Sequence, residues 1–445
     1  MHELEGLGDL LAQACADPEA GAPGAVLGVW HDGRLQVAAH GVLSRRTQVP
    51  VTADSVFQIG SITKPWTATV VAGLAAEGRL HLDSTVAELL PGVRLGRDDL
   101  GDRVTVRHLL THTSGIDGDV FTDTGRGDDS VARYVDLLAD AVTVHEPGAA
   151  YSYCNSGYVV LGRIAEVIDG AVWDDVLQRR LAAPLGLADV CTLPEQAVLR
   201  RAAVGHESGG PVTTWALPRS VGPAGTVATT AADLLGFARQ WLADDVPDHL
   251  AAMTEPLVDV PDGSDLQAVG WGWRVGRWDG HLVLGHSGLT LGQSATLRIL
   301  PSLGLAACVL TNGERADAVH LRVVPSLVRD LTGVEMPPLP GPDPEASPDR
   351  DGLAAFTGRY LRRAAHYDVE LDDAGLWATA TPAGELAGHG PAPERLLLRP
   401  RASGGAGGFV RRSHDTEPWA PLTFGRLPDG TPMLFTAGRV AVRAP

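Results

Sequence analysis

The chain has 445 residues, more than one compact core ordinarily holds, so one large domain and a smaller one are expected. Its apolar fraction of 44% supplies a real core and argues against disorder, while 36 Lys plus Arg against 54 Asp plus Glu give a net charge of -18. With no basic run to offset that excess, nucleic-acid binding is excluded, and no stretch approaches the roughly 18 uninterrupted apolar residues of a membrane span.

The opening stretch MHELEGLGDLLAQACADPEAG carries acids where a secretory signal carries Lys or Arg, so a cytoplasmic location is expected. Residues 24–43 alternate apolar and polar positions around Asp32-Gly33, the pattern of a β-hairpin. Helical spacing follows over 62–78, with Ser61 just before it and Pro65 in the first turn, where a missing N–H is harmless. Further helices are expected over 104–112, 130–142, 156–169 and 231–242, the last capped by Thr230. Strand patterns return over 271–278, 281–286, 293–300 and 304–311, before an amphipathic helix at 316–332. Strands at both ends with helices between imply an α+β architecture in which distant segments share one sheet.

From Glu335 to Pro348 the composition EMPPLPGPDPEASP marks a stiff linker, so the expected division is 1–334, a linker 335–352 and a small all-β domain 353–445. Short alternating strands between Gly, Pro and Asp turns in the last part predict a small antiparallel β barrel or sandwich, of which the barrel is preferred. The four cysteines, Cys15, Cys154, Cys191 and Cys308, form no CxxC pair and are expected to be reduced.

Three segments carry chemistry. In VFQIGSITKPW, Ser61 and Lys64 lie three apart on a helix, so the amine sits beside the hydroxyl. A serine needs a base to become a nucleophile, and a desolvated lysine can be that base. In YSYCNSGY, Tyr153 and Asn155 are expected to bring a phenol and an amide to the same place, the phenol lowered by a nearby cation and the amide holding the lysine or a substrate carbonyl. In LGHSGL, two glycines around His286 and Ser287 mark a strand that something approaches closely. Backbone N–H groups of Ser61 and Leu289 then form an oxyanion hole. His108 and His112 have the spacing of a zinc pair but no following glutamate or third ligand, so no metal and no cofactor are expected.

In this order and with these flanks, the three segments resemble the serine β-lactamase and penicillin-binding-protein superfamily over about residues 20–335. Leu109-Leu110-Thr111-His112-Thr113-Ser114-Gly115 and Gly222-Pro223-Ala224-Gly225 are similar to further motifs of it. The resemblance implies a β-lactamase/transpeptidase-like antiparallel sheet flanked by helices, with Ser61 at the seam with an all-helical lobe. It also implies catalytic roles for Ser61, Lys64, Tyr153, Asn155 and His286. His286 stands where many members carry lysine, which suits a substrate without the carboxylate of penicillins.

The expected cytoplasmic location, the small C-terminal β domain (lipocalin-like by resemblance), the stretch Trp215-Ala216-Leu217-Pro218-Arg219-Ser220 and the terminal Gly438-Arg439 look most like the penicillin-binding-protein-type thioesterases. These take a linear nonribosomal peptide from a peptidyl carrier protein, through its phosphopantetheine thioester, and release it as a macrolactam. By that resemblance Trp215, Ser287, Gly288 and Arg439 are expected to contact a peptide substrate with a D-residue at its acyl end. The alternatives are a D-stereospecific peptidase, amidase or esterase and, in another class, an inactive binding or assembly protein on the same fold.

Overall fold

Asp32 and Gly33 take φ of 50° and 74°, the two left-handed positions a tight hairpin needs, and join β1 (Gly24–His31) to β2 (Arg34–Gly41). The structure is a computed structural model that describes every residue except 1–5, 18–20, 98, 121, 208–209, 314–316, 347–348, 385–386, 388–391, 403–404 and 414–417. The hairpin begins an eight-stranded antiparallel sheet continued by β3 (Val258–Asp259), β4 (Ala268–Val269), β5 (Arg274–Trp278), β6 (His281–Leu289), β7 (Ser294–Leu300) and β8 (Leu305–Thr311). Their spatial order is β2-β1-β8-β7-β6-β5-β4-β3, so the first strand of the sheet pairs with the last, Val26 opposite Leu310.

Helices cover both faces. α1 (Leu7–Cys15) and α5 (Asp317–Thr332) lie on one; α2 (Thr63–Ala76), α3 (Asn155–Asp169) and α4 (Ala231–Ala238) belong to the other. The central strands therefore read as unbroken apolar runs although the sheet is antiparallel. In β8, Ala306, Cys308 and Leu310 join the core with α2, α3 and α4, while Leu305, Ala307 and Val309 join the core with α1 and α5. Gly28 lets α4 close onto β1, since a Cβ there would lie 2.9 Å from Leu235. α2 is buried on nearly every side, which makes it the central helix of the helical lobe.

Thr230 caps α4 by accepting from the Asp233 amide. The helices expected over 130–142 and 231–242 end earlier as α-helix, at Leu137 and Ala238, and run on as 3-10 turns that satisfy the last carbonyls. The strand expected from 271 starts at Arg274, because Gly272 at φ +81° is laid against α2, where a Cβ would lie 2.5 Å from that of Ala68. Residue 316, expected to open α5, lies outside the described residues, as do Ser347 and Pro348 of the linker.

After a short helix at Arg350–Ala354 come β9 (Gly358–Arg362), β10 (Ala365–Asp372), β11 (Gly375–Pro382), β12 (Glu394–Leu397), β13 (Arg399–Pro400), β14 (Gly408–Arg411), β15 (Ala420–Arg426), β16 (Pro432–Thr436) and β17 (Arg439–Arg443). They form one sheet in the order β12-β11-β10-β9-β17-β16-β15-β14-β13. Its edge strands β12 and β13 are consecutive in the chain with only Leu398 between them, so the sheet curls into the nearly closed antiparallel barrel expected. Tyr360, Tyr367, Phe409, Phe424 and Leu434 fill it. All four cysteines are free, and among the described residues no helix is long and apolar enough to cross a membrane.

Candidate active site

Ser61 sits in a 3-10 turn, Gly60–Ile62, that runs into α2. The end of β6 passes directly over this turn, and two glycines make the approach possible. A Cβ on Gly60, whose φ is +52°, would lie 2.7 Å from the Leu289 nitrogen; one on Gly288 would lie 1.9 Å from the Ile59 carbonyl oxygen and 2.8 Å from the Ser61 nitrogen. The backbone nitrogens of Ser61 and Leu289 are thus brought to one corner of the cleft, while the Leu289 side chain is 62% exposed.

One helical turn on, Lys64 places Nζ 3.1 Å from Ser61 Oγ and 2.8 Å from the carbonyl oxygen of Ala224. Ala224 belongs to the Gly222–Gly225 turn, which is pressed onto α2 and α3: Thr67 donates to the Pro223 carbonyl, and a Cβ on Gly162 would collide with the Pro223 ring. Lys64 is buried, and that burial, helped by the Arg439 guanidinium, holds its amine well below the usual lysine range against the opposing influence of Asp119 and Cys154.

Tyr153 completes the triangle, with its hydroxyl hydrogen-bonded to Ser61 and its ring 4.9 Å from Lys64 Nζ. Here an expectation is corrected. Burial pushes this phenol above its ordinary range and outweighs both the Ser61 bond and the Arg439 charge, so Tyr153 is a protonated donor rather than a lowered phenol. His112 backs it, its ring tilted 30° to that of Tyr153 with the centroids 4.3 Å apart, and its Nδ1 accepts from the Cys154 amide. Burial keeps that imidazole neutral, well below the usual histidine range. His108 instead accepts from the Thr105 amide in a helix cap.

Asn155 opens α3, where Cys154 Sγ accepts from the Gly157 amide as cap. The amide of Asn155 donates to Asp119 Oδ1 at 3.0 Å, so of the two partners expected for this group, the lysine or a substrate carbonyl, the lysine is not the one its N–H takes; that N–H goes to a carboxylate that sequence reasoning missed. Asp119 also holds Arg439 Nη2 at 2.8 Å and Arg362 Nη1 at 2.6 Å, both from the barrel. Arg439 Nε lies 2.6 Å from the carboxylate as well, as an ion contact without the alignment of a hydrogen bond. No local spacing announces such a hub.

His286 lies on β6 facing the cleft group, its ring 6.2 Å from that of Tyr153. Nδ1 donates to the Ser287 carbonyl at 2.7 Å, which leaves Nε2 as the lone-pair nitrogen. Burial first, then the neighbouring Lys64, push its pKa down to about 3. The imidazole is neutral and offers no fixed cation. Ser287 points to the opposite side, exposed, with Oγ 3.2 Å from Thr296 Oγ1. Trp215 is half-buried: its indole donates to the Ala203 carbonyl at 2.7 Å and its own carbonyl accepts from Gln58, next to the Ser61 turn. Arg439 lies with its guanidinium 5.0 Å from the Tyr153 ring.

A separate cavity of about 570 Å³ is lined by Trp30, Leu185, Arg239 and Leu242 among others; it shares no residue with this constellation and offers no nucleophile. The arrangement at Ser61 can take a hydroxyl proton, hold an acyl group and place two backbone N–H groups on a developing oxyanion.

Fold and site together define a serine enzyme of the SxxK kind. The Beta-lactamase family model matches residues 9–327, and penicillin-binding protein 4 of Amycolatopsis lactamdurans is 44% identical over 357 residues, 76% of this chain and 93% of that protein. The solved structure of SurE covers 99% of this chain and is itself covered to 99%, at a TM-score of 0.80 and 30% identity; SurE with D-Leu gives 0.79 and 29% over the same shares. The chain belongs to the β-lactamase family, in the serine β-lactamase/penicillin-binding-protein superfamily of hydrolases and acyltransferases.

Proposed function

We propose that this chain is a serine acyltransferase that takes a linear nonribosomal peptide from the phosphopantetheine thioester of a peptidyl carrier protein onto Ser61 and releases it by head-to-tail macrolactamisation. The observation that carries the acyl-transfer step is the buried amine of Lys64, held well below the usual lysine range 3.1 Å from the Ser61 hydroxyl. The choice of substrate is supported by the likeness to SurE along the whole chain, barrel included, and by the D-leucine in one of those structures.

In the first half-reaction Ser61 Oγ attacks the thioester carbonyl and its proton passes to Lys64 Nζ. The N–H groups of Ser61 and Leu289 hold the oxyanion. On collapse the C–S bond breaks, the thiolate takes a proton from Tyr153, and the Lys64 ammonium restores it. In the second half-reaction the peptide's own amino group attacks the ester carbonyl. Its proton moves through Tyr153 to Lys64, which returns one to Ser61 Oγ as the C–O bond breaks. Thioester plus amine thus become amide plus thiol. A neutral His286 removes the cation that would hold a penicillin-type carboxylate, and its Nε2 lone pair suits an amine N–H instead.

The reading implies a carrier-protein partner and a cytoplasmic location. A pantetheine thioester of a linear peptide ending in a D-residue, incubated with the protein and followed by mass spectrometry, should give a product lighter than the free acid by one water. Free acid alone would favour a D-specific hydrolase, and no turnover with no acylation would favour an inactive binding protein.

A further inference from the structure

Asp119 carries no motif, yet three side chains of the site region converge on it. Its side chain is 3% exposed and is bound by Asn155 at the start of α3 and by Arg362 and Arg439 of the barrel. Arg439 is only 20% exposed and lies 5.0 Å from the Tyr153 ring, to which Lys64 Nζ is 4.9 Å distant. A guanidinium is retained at such a depth only with a counter-charge, and Asp119 is that charge. The backbone tightens the same joint: the Tyr153 amide donates to the Gly438 carbonyl at 2.8 Å and the Val440 amide to Ser152 Oγ at 3.2 Å. Tyr151, Val260 and Val269 share one apolar cluster with Leu427, Phe435 and Val440 of the barrel.

We propose that Asp119 is a positioning residue that seats the barrel's Arg439 against Tyr153, so that the C-terminal barrel completes the acyl-transfer site. The inference rests on the reading of Ser61 and Lys64 given above. Arg439 then acts on the reaction through Tyr153 and Lys64, and its own donors are largely engaged by Asp119. Besides these two charges, Lys64 faces Cys154, His112, His286 and the rings of Tyr153 and Tyr158. Arg439 favours the neutral amine and Asp119 the charged one, so removing either should shift the acidic limb of the rate profile in opposite directions.

The test uses the full chain and an active-site-directed fluorophosphonate, with the rate of Ser61 labelling measured across pH beside the melting temperature. Arg439→Gln should move the acidic limb to higher pH and Asp119→Asn to lower pH, each lowering the plateau rate about 10- to 100-fold. The double variant should lose no more than the worse single one, because the two residues act as one unit. Arg439→Lys keeps the charge, so its limb should stay in place while the plateau falls; it serves if Asp119→Asn does not fold. Limbs unmoved in Asp119→Asn and Arg439→Gln, or losses that simply multiply in the double variant, would overturn the proposal. Wild-type protein that is not labelled at Ser61 would overturn the serine reading itself, and the positioning role with it.

Discussion

The amine of Lys64 lies 2.8 Å from the carbonyl oxygen of Ala224 and 3.1 Å from Ser61 Oγ, so once it has lost its proton it can give an N–H to the carbonyl and turn its lone pair to the hydroxyl. A buried ammonium would cost several kcal/mol of lost hydration, and the neutral form avoids most of it. Lys64→Met should therefore slow labelling of Ser61 by about 10²- to 10⁴-fold, the range of a lost general base. Its melting temperature should not drop below that of the wild type. Labelling kinetics and calorimetry on the same sample check both halves.

Tyr153 should stay protonated through pH 10, since burial raises its phenol. Ultraviolet difference titration of the wild type against Tyr153→Phe should show no phenolate signal from this residue in that range. The same variant should retain the fold and lose about 10²-fold or more in labelling or turnover.

The Ser61 turn and β6 touch through Gly60 and Gly288. Gly288→Ala would push a methyl into the Ile59 carbonyl, 1.9 Å away, and force the two backbones apart. With one oxyanion donor displaced, turnover should fall about 10²- to 10³-fold. Circular dichroism should show the sheet preserved, which distinguishes a displaced donor from an unfolded chain.

Acid should destabilise this protein early. Burial holds His286 and His320 near a pKa of about 3 and His112 well below the usual value, whereas in the unfolded chain all three bind a proton near about 6.5. Between those limits the unfolded state binds more protons, so stability is present above about pH 6.5 and is lost as pH falls toward 3. Three such groups give a slope of up to about 4 kcal/mol per pH unit. Denaturant unfolding followed from pH 7 to 5 measures it. His320→Leu, on α5 away from the cleft, should remove about a third of the slope.

What was legible in the sequence was what is local. Ser61 and Lys64 are one helical turn apart, so their meeting follows from helix geometry, and the glycines around His286 announce a close approach that Gly288 makes against Ile59. The hairpin itself was legible from its Asp32-Gly33 turn, whereas the alternation expected along it is not kept in β1, which helices bury on both faces, and β2 is the partly solvated edge strand. Asp119 was invisible because its partners Arg362 and Arg439 come from the far end of the chain, and ion pairs across such separations leave no spacing to read. The direction of the Tyr153 shift was misjudged for a related reason: a nearby cation can be guessed from residue types, but the depth of burial that outweighs it cannot.

The central claim is that Ser61 carries the acyl group, and trapping that ester tests it most directly. Quenching the reaction with a D-terminal peptide thioester in acid, then digesting and sequencing by mass spectrometry, should place the added peptide mass on the fragment holding Ser61. Ser61→Ala should show none. Acyl mass on another residue, or turnover with Ser61→Ala at the wild-type rate, would contradict the account.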